Sequence, residues 1–273
     1  MSSVFSFKSS KVSYLLKFIY LYSAYTAVSL FVVLFFFLRP RNPKNAVIVA
    51  KIMKYVHKLV RSHFLFMNDD SKKPSYSSQV PIQFTIEGAE LLTDLSACVV
   101  ILNHQSALDL MCLFEIWPLL ENAGPVAKKE LLYFEPFGLA CWMCGAEFIN
   151  RRSKTSHADI NLMGARAKQE GKKLMIFPEG TRNGAKGLSM LPFKKGAFHI
   201  AINGNLPIQP IVISEYYFLD WKKMIFNPGK VTIKVLPIID TSEYTKDNMD
   251  ELVDKSRDSM MMALKDLSKT KEE

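Results

Sequence analysis

The residues best suited to catalysis in this sequence are a histidine and an aspartate, His104 and Asp109, in the stretch Asn-His-Gln-Ser-Ala-Leu-Asp. The stretch follows an apolar run, residues 97–102, that is suited to a buried strand. Five residues along a helix give about 140° of rotation, so the two side chains cannot share one helical face. We therefore expect His104 in the loop after the strand, Ser106 as the cap of the next helix and Asp109 in its first turn.

A carboxylate in that position can fix the tautomer of the imidazole and stabilise its protonated form. The other ring nitrogen is then available as a general base that removes a proton from a hydroxyl group. The arrangement follows the logic of a catalytic triad without its serine, so the acceptor substrate would itself supply the nucleophile. In the alternative interpretation, Asp109 only caps the helix and His104 is an ordinary loop residue.

A second polar motif, Phe-Pro-Glu-Gly-Thr-Arg at residues 177–182, also follows a strand-like apolar run. Gly180 permits a tight backbone turn, and Thr181 and Arg182 supply hydrogen-bond donors suited to a phosphate group. Glu179 would either hold a substrate hydroxyl or orient Arg182. An ordinary turn is the alternative interpretation of this segment.

Two further cations, Lys128 and Arg151, each follow a short apolar run. Surface charge explains many such residues, and isolated exposed charges contribute little to stability. Because both stand at the expected ends of strands, where ligands bind in α/β folds, they are candidates for the same site. The proline-flanked run at residues 207–212 is expected to form an edge strand or a wall of the substrate site.

Strands and helices alternate along the part of the chain that carries these motifs. The strand predictions are residues 82–86, 97–102, 125–127, 146–150, 173–177, 208–213 and 231–236. The helix predictions are residues 107–122, 130–143, 157–170, 194–202 and 249–267. Such alternation predicts an α/β fold with a largely parallel sheet flanked by helices, whose ligands bind at the carboxyl ends of the strands.

The N-terminal part is typical of a membrane-associated segment. Residues 18–38 carry no charge, and at about 1.5 Å per residue such a helix reaches across one hydrocarbon core. A second helix is predicted over residues 46–66, with basic residues on one side at Lys51, Lys54, Lys58 and Arg61. This basic stripe suits a helix that lies among anionic headgroups, and an ordinary packed helix is the alternative.

We therefore predict membrane-anchoring helices over residues 1–67, a linker over residues 68–79 and a catalytic domain over residues 80–273. The basic residues at 39–61, after the predicted span, outnumber those before it. Positive charge is retained on the cytosolic side of membranes, so the bulk of the protein is expected in the cytosol.

The net charge of +9 indicates an anionic partner. Much of this charge lies beside the membrane segment, which argues against nucleic-acid binding, where basic and aromatic residues alternate on one face. The cysteines lie in apolar stretches and are expected to be reduced packing residues: Cys98, Cys112, Cys141 and Cys144. No metal is expected, because neither the cysteines nor the 5 scattered histidines form a ligand cluster.

Four blocks, in their order along the chain, resemble the glycerolipid acyltransferase family that includes the 1-acyl-glycerol-3-phosphate acyltransferases. The blocks are Asn-His-x-x-x-x-Asp at 103–109, Phe-Ile-Asn-Arg at 148–151, Phe-Pro-Glu-Gly-Thr-Arg at 177–182 and the proline-flanked strand at 207–212. The likeness extends over residues 80–240. Residues 190–198 and 39–43 are also similar to the animal lysophosphatidic acid acyltransferases, whereas residues 183–188 form a longer stretch than close relatives are expected to have.

The resemblance implies transfer of a fatty acyl group from acyl-CoA to the sn-2 hydroxyl of lysophosphatidic acid, which gives phosphatidic acid. It implies His104 as the base and Asp109 as its partner. The residues implied to handle the glycerophosphate end are Glu179, Gly180, Thr181, Arg182, Arg151 and Lys128. The alternatives are a glycerol-3-phosphate acyltransferase, another lysophospholipid acyltransferase, a CoA-independent transacylase and a non-catalytic lipid-binding protein at the membrane surface.

Acyl-CoA is a co-substrate in this interpretation, and no cofactor is expected. With the predicted span, the resemblance implies an integral membrane protein of the endoplasmic reticulum whose catalytic domain faces the cytosol. Its expected partners are acyl-CoA, lysophosphatidic acid and the lipid bilayer. No feature of the sequence specifies an oligomeric state.

Overall fold

The structure of the protein is a computed structural model that describes residues 2–66, 82–92, 96–150, 156–184 and 189–269. The linker predicted over residues 68–79 and the candidate residue Arg151 lie outside these ranges.

Within the described ranges, a 7-stranded sheet forms the centre of the fold and two further strands form a separate hairpin. In chain order the strands are β1 Ile82–Glu87, β2 Cys98–Leu102, β3 Ala123–Lys128, β4 Glu147–Ile149, β5 Lys173–Ile176, β6 Ile208–Ile213, β7 Leu219–Asp220, β8 Ile225–Phe226 and β9 Gly229–Val235. The order in the sheet is β1-β9-β6-β2-β5-β3-β4. Neighbours from β6 to β4 are parallel, whereas β9 pairs antiparallel with β6 and β1 runs parallel to β9.

Helices cover both faces of this sheet. In chain order they are α1 Ser2–Phe36, α2 Pro43–Phe66, α3 Asp109–Leu120, α4 Phe137–Met143, α5 Ser156–Glu170, α6 Gly196–Gly204 and α7 Met249–Lys269. Successive side chains of a strand point to opposite faces, and β2 shows the result. Val100 and Leu102 belong to the apolar core under α1 to α4, whereas Val99 and Ile101 belong to the core under α5 to α7. The predicted α/β fold with a largely parallel sheet is confirmed.

Every strand predicted from the sequence is present in the sheet, but the helix predicted over residues 130–143 is wrong. Lys129–Tyr133 forms a 3-10 turn, and α4 begins only at Phe137. Pro136 stands between them, and a proline disfavours helical backbone in the residue before it and donates no hydrogen bond. The β7–β8 hairpin was not predicted, because its strands are too short to show a periodic pattern.

Helix α1 packs lengthwise against the α/β part of the protein. Leu21, Tyr25 and Val32 are buried on one side of the helix, in the same apolar core as α3 and α4. The opposite side is exposed and apolar, and carries Leu15, Ile19, Tyr22, Leu30 and Leu34. By length and composition, the segment Tyr14–Phe36 is able to cross a membrane. The anchoring and catalytic parts predicted from the sequence therefore share one core.

Helix α2 is packed along its first half. The residues that it buries against α1 and α3 are Ala46, Val49, Ala50 and Met53. Lys51 is exposed, and the ammonium group of Lys54 lies 2.8 Å from a carboxylate oxygen of Glu115 on α3. The side chains of Lys58 and Arg61, which complete the predicted basic stripe, lie outside the described part of the structure. Contact of this stripe with anionic lipid stays a prediction.

A cluster of charges ties the segment between α1 and α2 to the amino-terminal edge of the sheet. Glu147 begins β4, and its carboxylate lies 2.8 Å from the guanidinium of Arg41 and 2.6 Å from the ammonium of Lys172. Arg166 approaches the same carboxylate at 4.0 Å. Arg41, one of the basic residues assigned to the membrane side from the sequence, is thus an ion-pair partner of the α/β part.

Replacing Glu147 by glutamine should destabilise the fold, because it leaves Arg41 and Lys172 close together without a counter-charge. Lys172 and Glu147 have side chains only 9% and 10% exposed, and breaking a buried pair costs about 3 kcal/mol or more. Asp250→Asn is the matched control, because its pair with Lys195 is 72% and 54% exposed and is worth about 0.5 kcal/mol. The midpoints of thermal unfolding in one detergent provide the comparison, and equal shifts would contradict the assignment.

Candidate active site

Both polar motifs lie at the same edge of the sheet. Strands β2 and β5 are parallel neighbours, and their carboxyl ends lead into the segments at 103–109 and 177–182. Strand β6 flanks β2 on the other side and is parallel to it. Its carboxyl end, at Ile213, therefore meets the same edge. The two motifs therefore lie side by side at this edge.

His104 and Asp109 are directly hydrogen-bonded. Nδ1 of His104 lies 2.7 Å from Oδ2 of Asp109, which is the first residue of α3 and is only 1% exposed. The same oxygen accepts hydrogen bonds from the backbone N–H groups of Gln105 and Ser106, at 2.7 Å and 3.1 Å. Asp109 therefore orders the loop before its helix and also holds the imidazole, so the two interpretations of this residue are compatible.

Ser106 accepts a backbone hydrogen bond, as predicted for a cap, but it does so in the turn before α3 rather than directly at the start of the helix. Leu108, not Ser106, directly precedes α3. The hydroxyl of Ser106 accepts a hydrogen bond from the N–H of Leu108 at 3.3 Å, within the turn that leads to the helix. The helix starts later than predicted because the chain first makes this turn, which brings the backbone N–H groups of the loop to the carboxylate of Asp109.

The orientation of His104 leaves Nε2 as its proton acceptor. A carboxylate only accepts hydrogen bonds, so Nδ1 carries the proton and Nε2 has a free lone pair. Among the described residues, Nε2 has no hydrogen-bond partner. The ring stacks on Phe177, with centroids 4.1 Å apart and planes at 18°. The imidazole is therefore held from two sides, and the histidine side chain is 23% exposed.

Tyr216 is a component of the site that sequence reasoning missed. Its hydroxyl donates a hydrogen bond of 2.7 Å to Oδ1 of Asp109 and lies 3.3 Å from Sγ of Cys112. Burial raises the pKa of Tyr216 well above its ordinary value, so the phenol remains a donor. The available signal was its position just after β6, since a tyrosine buried at a strand end usually has a hydrogen-bond partner.

Asn103 and Gln105 join the ends of β2 and β6. The side-chain amide of Asn103 donates to the carbonyl of Ile213 at 2.9 Å and accepts from the N–H of Ile213 at 2.7 Å. The side chain of Gln105 donates to the carbonyls of Ile213 and Ser214, at 3.0 Å and 3.1 Å. These bonds bring Tyr216 within reach of Asp109, which explains why an asparagine directly precedes the histidine.

Glu179 is a positioning residue rather than an exposed ligand-binding group. It is 2% exposed, and its carboxylate accepts hydrogen bonds from the N–H groups of His104, at 2.7 Å, and Leu191, at 2.8 Å. Burial raises the pKa of Glu179, although the hydrogen bonds from these two N–H groups oppose the shift. Among the described residues the carboxylate bonds to backbone and not to Arg182, from which it is separated by a turn at Gly180 with φ of 70°.

Thr181 and Arg182 are exposed beside His104. The N–H of Asn183 donates to the carbonyl of His104 at 2.7 Å, which holds their loop against the histidine loop. Among the described residues, Arg182 forms no hydrogen bond or ion pair. Lys128 is exposed at the carboxyl end of β3, one strand beyond β5. Among the described residues, this edge of the sheet thus presents exposed hydrogen-bond donors suited to an anion.

Cys141 and Cys144, whose Cys-x-x-Cys spacing also occurs in redox and zinc sites, lie in and directly after α4, apart from this edge. All four cysteines are free thiols. Burial raises the pKa of Cys144 to about 12, so its reactive thiolate form is strongly disfavoured. The motif packs at the end of α4, as predicted.

Comparison with known proteins agrees with this arrangement. The profile of a protein family described as Acyltransferase matches residues 83–214. Human 1-acyl-sn-glycerol-3-phosphate acyltransferase beta is 40% identical over 194 residues, which cover 70% of this chain and 68% of that protein. The Haemophilus influenzae 1-acyl-sn-glycerol-3-phosphate acyltransferase is 30% identical over 236 residues, covering 85% and 86% respectively. The chain belongs to the 1-acyl-sn-glycerol-3-phosphate acyltransferase family.

Two further comparisons define the extent of the likeness. The mouse alpha acyltransferase is 38% identical over 192 residues, and the chain covers 65% of its length, so the chain spans about two thirds of its mammalian relatives. The crystal structure of the 1-acyl-sn-glycerophosphate (LPA) acyltransferase PlsC from Thermotoga maritima has a TM-score of 0.65 at 21% identity, and covers 94% of this acyltransferase and 98% of that chain. At this identity the likeness concerns the fold.

Glu179→Gln should weaken the connection between the two loops of this acyltransferase. The glutamine retains one acceptor oxygen, but its amide nitrogen faces either the N–H of His104 or that of Leu191. A buried donor without a partner costs about 1–3 kcal/mol. We expect a lower midpoint of thermal unfolding and faster hydrogen exchange at the amide of Leu191. Glu243→Gln, at an exposed position, is the control, and identical behaviour of both variants would refute the positioning role.

Proposed function

We propose that this protein transfers a fatty acyl group from acyl-CoA to the sn-2 hydroxyl of 1-acyl-sn-glycerol 3-phosphate, forming phosphatidic acid. The observation that carries the proposal is the hydrogen bond of 2.7 Å between His104 and Asp109. It leaves Nε2 as an accessible base beside exposed phosphate-binding side chains. The names of the relatives support the phosphorylated acceptor, and the use of acyl-CoA as donor is part of the proposal.

In the proposed reaction, Nε2 of His104 removes the proton from the acceptor hydroxyl as its oxygen attacks the thioester carbonyl. The resulting tetrahedral oxyanion collapses to the new ester and expels the CoA thiolate, which takes the proton from the imidazolium. Asp109 stabilises this imidazolium, and its buried position strengthens the interaction. The nucleophile belongs to the acceptor, so no covalent acyl-enzyme is required.

The groups around the pair have positioning roles in this mechanism. Tyr216 holds the second oxygen of Asp109, so that the carboxylate cannot rotate away from the imidazole. Glu179 fixes the backbone at His104, and Phe177 supports the ring. General bases act efficiently only when they are held within hydrogen-bond reach of the proton, and these contacts provide that restraint.

The proposed phosphate ligands are Thr181 and Arg182, with Lys128 and Arg151 as further candidates. The exposed guanidinium of Arg182 can bind two phosphate oxygens in parallel. The loop contact between Asn183 and His104 keeps it near the base. A phosphate bound there would bring the single free hydroxyl of the acceptor, at sn-2, to the side of the sheet that carries Nε2.

We propose attachment to the endoplasmic reticulum membrane through the exposed apolar face of α1. The opposite face packs on α3 and α4, so a crossing by α1 alone would draw these neighbours into the hydrocarbon core. An orientation along the membrane surface avoids that cost, and it is our alternative to the crossing predicted from the sequence. The free cysteines fit a reducing compartment, which favours the cytosolic side of the membrane.

The decisive experiment is an assay of purified protein with labelled acyl donors and a panel of acceptors. We expect lysophosphatidic acid with acyl-CoA to be the preferred pair. His104→Ala should lower turnover by ~10²–10⁴, the usual contribution of a general base. A preference for glycerol 3-phosphate would favour the alternative enzyme, and equal use of lysophosphatidylcholine would remove phosphate selection from the proposal.

Two conservative variants test the roles of Asp109 and Tyr216 in the same assay. Asp109→Asn keeps the size of the side chain but removes the charge that stabilises the imidazolium. Tyr216→Phe removes one hydrogen bond and leaves the charge, so it should retain more turnover than Asp109→Asn. Full activity in folded His104→Ala would disprove the mechanism.

Arg182→Lys should raise the KM for lysophosphatidic acid about tenfold, the effect of one lost charge-assisted hydrogen bond of ~1.5 kcal/mol. The KM for acyl-CoA should change less, because the arginine is assigned to the acceptor. Arg166→Lys is the matched control, since Arg166 is half exposed at the opposite edge of the sheet. The reverse pattern of KM changes would assign Arg182 to the donor.

A further inference from the structure

The β7–β8 hairpin follows Tyr216 and lies outside the central sheet. Leu219 pairs with Phe226 and Asp220 with Ile225, which leaves Trp221 and the residues up to Met224 at the tip. The indole of Trp221 is 59% exposed, and the side chains of Lys222 and Lys223 are exposed next to it. A single exposed aromatic residue is common on protein surfaces. Trp221 differs from such residues because two exposed lysines lie directly beside it.

The tip is an ordered turn. One oxygen of the buried Asp220 carboxylate accepts hydrogen bonds from the N–H groups of Lys222 and Lys223, both at 3.1 Å. The ammonium group of Lys222 lies 5.5 Å from the centre of the Trp221 ring, within the range of a cation–π contact. The ring and the cations are therefore presented together.

The base of the hairpin is packed on α1. The rings of Phe226 and Phe18 have centroids 5.7 Å apart, and the ammonium group of Lys17 donates to the carbonyl of Phe226 at 2.9 Å. Phe18 lines the same groove of α1 as Ile19 and Tyr22, which belong to its exposed apolar face. The hairpin is therefore continuous with the surface assigned to the membrane.

The tip also contacts the loop of the candidate active site. Nε1 of Trp221 lies 3.4 Å from the carbonyl oxygen of Gly184, and the adjacent Asn183 donates to His104. The hairpin thus lies between the apolar face of α1 and the loop that carries Arg182.

We propose that Trp221, Lys222 and Lys223 form a second membrane contact, which binds the headgroup region of an anionic leaflet. Indole rings favour the membrane interface, where their apolar body and polar N–H group are both accommodated. Each lysine near an anionic surface strengthens binding about fivefold. This contact rests on the proposed membrane attachment and is independent of acyl transfer. It holds the edge with His104 at the depth of lipid headgroups, where a lysophospholipid presents its glycerol.

Fluorescence quenching in vesicles tests the contact without any reaction. Wild type and Trp221→Phe are reconstituted in phosphatidylcholine vesicles with and without phosphatidylserine, using lipids brominated near the top of the acyl chains. The emission present only in the wild type belongs to Trp221. We expect the brominated lipids to quench it in the anionic vesicles, and high salt to reduce that quenching. Flotation of the vesicles establishes in the same samples that both proteins are bound.

A charge variant tests the same contact through kinetics. Lys222→Gln/Lys223→Gln should raise the apparent KM for lysophosphatidic acid in anionic vesicles by about fivefold or more, with no change in detergent micelles. The matched control, Lys246→Gln/Lys265→Gln, removes equal charge from exposed positions at and near α7, on the other side of the sheet. Midpoints of thermal unfolding establish that both variants are folded.

Each of the following results would contradict the proposed membrane contact, and each would do so for a different reason. Floating protein whose Trp221 emission is insensitive to brominated lipid would overturn this proposal alone. Protein that does not float would overturn the membrane attachment and this contact with it. A raised KM for acyl-CoA in micelles would assign the lysines to the soluble donor. Equal effects of the two lysine variants in vesicles would reduce the contact to general surface charge.

Discussion

The carboxylate of Asp109 is buried where the ends of β2 and β6 meet the start of α3, and the local structure satisfies its hydrogen bonding from every side. An ionised carboxylate removed from water is unfavourable unless donors surround it. The donors here are the imidazole of His104, the backbone of the loop and the hydroxyl of Tyr216. The requirement to compensate one charge thus sets the loop conformation, the tautomer of the histidine and the position of the tyrosine.

Glu179, which follows the neighbouring strand β5, is a second buried carboxylate that accepts hydrogen bonds from backbone N–H groups. Its two oxygens bond to the backbone at His104 and Leu191, so this carboxylate joins loops that are distant in sequence. Arg182, only a few residues later, remains exposed. The acidic residue of each motif, Asp109 or Glu179, therefore fixes the backbone of nearby loops. At this edge, Nε2 of His104 and the guanidinium of Arg182 have no hydrogen-bond partner among the described residues. The buried carboxylates thus have the positioning role, and the exposed groups are the candidates for substrate contact.

The sequence predicted the parts of this site that depend on local spacing. The strand before His104 and the strand before Glu179 are parallel, so their following loops had to meet at one edge. The position of Tyr216 after β6 was a signal that it has a hydrogen-bond partner, but the identity of that partner could not be predicted, because Asp109 is 107 positions away and no short pattern encodes such a contact. The same limit applies to Glu147, whose partners come from separate segments. The packing of α1 was missed for another reason: its apolar residues surround the helix, so composition does not distinguish a lipid-facing side from a packed side.

The hydrogen bonds between Asn103 and Ile213 also bear on the order of events during synthesis. They join residues separated by 110 positions, and contacts of such long range form late, after the intervening chain has been made and has folded. A nascent chain that has emerged only as far as α5 already contains His104 and Asp109 but lacks β6 and Tyr216. The residues that restrain the base therefore leave the ribosome after the base itself, so the site is assembled only once β6 and Tyr216 have emerged and joined β2.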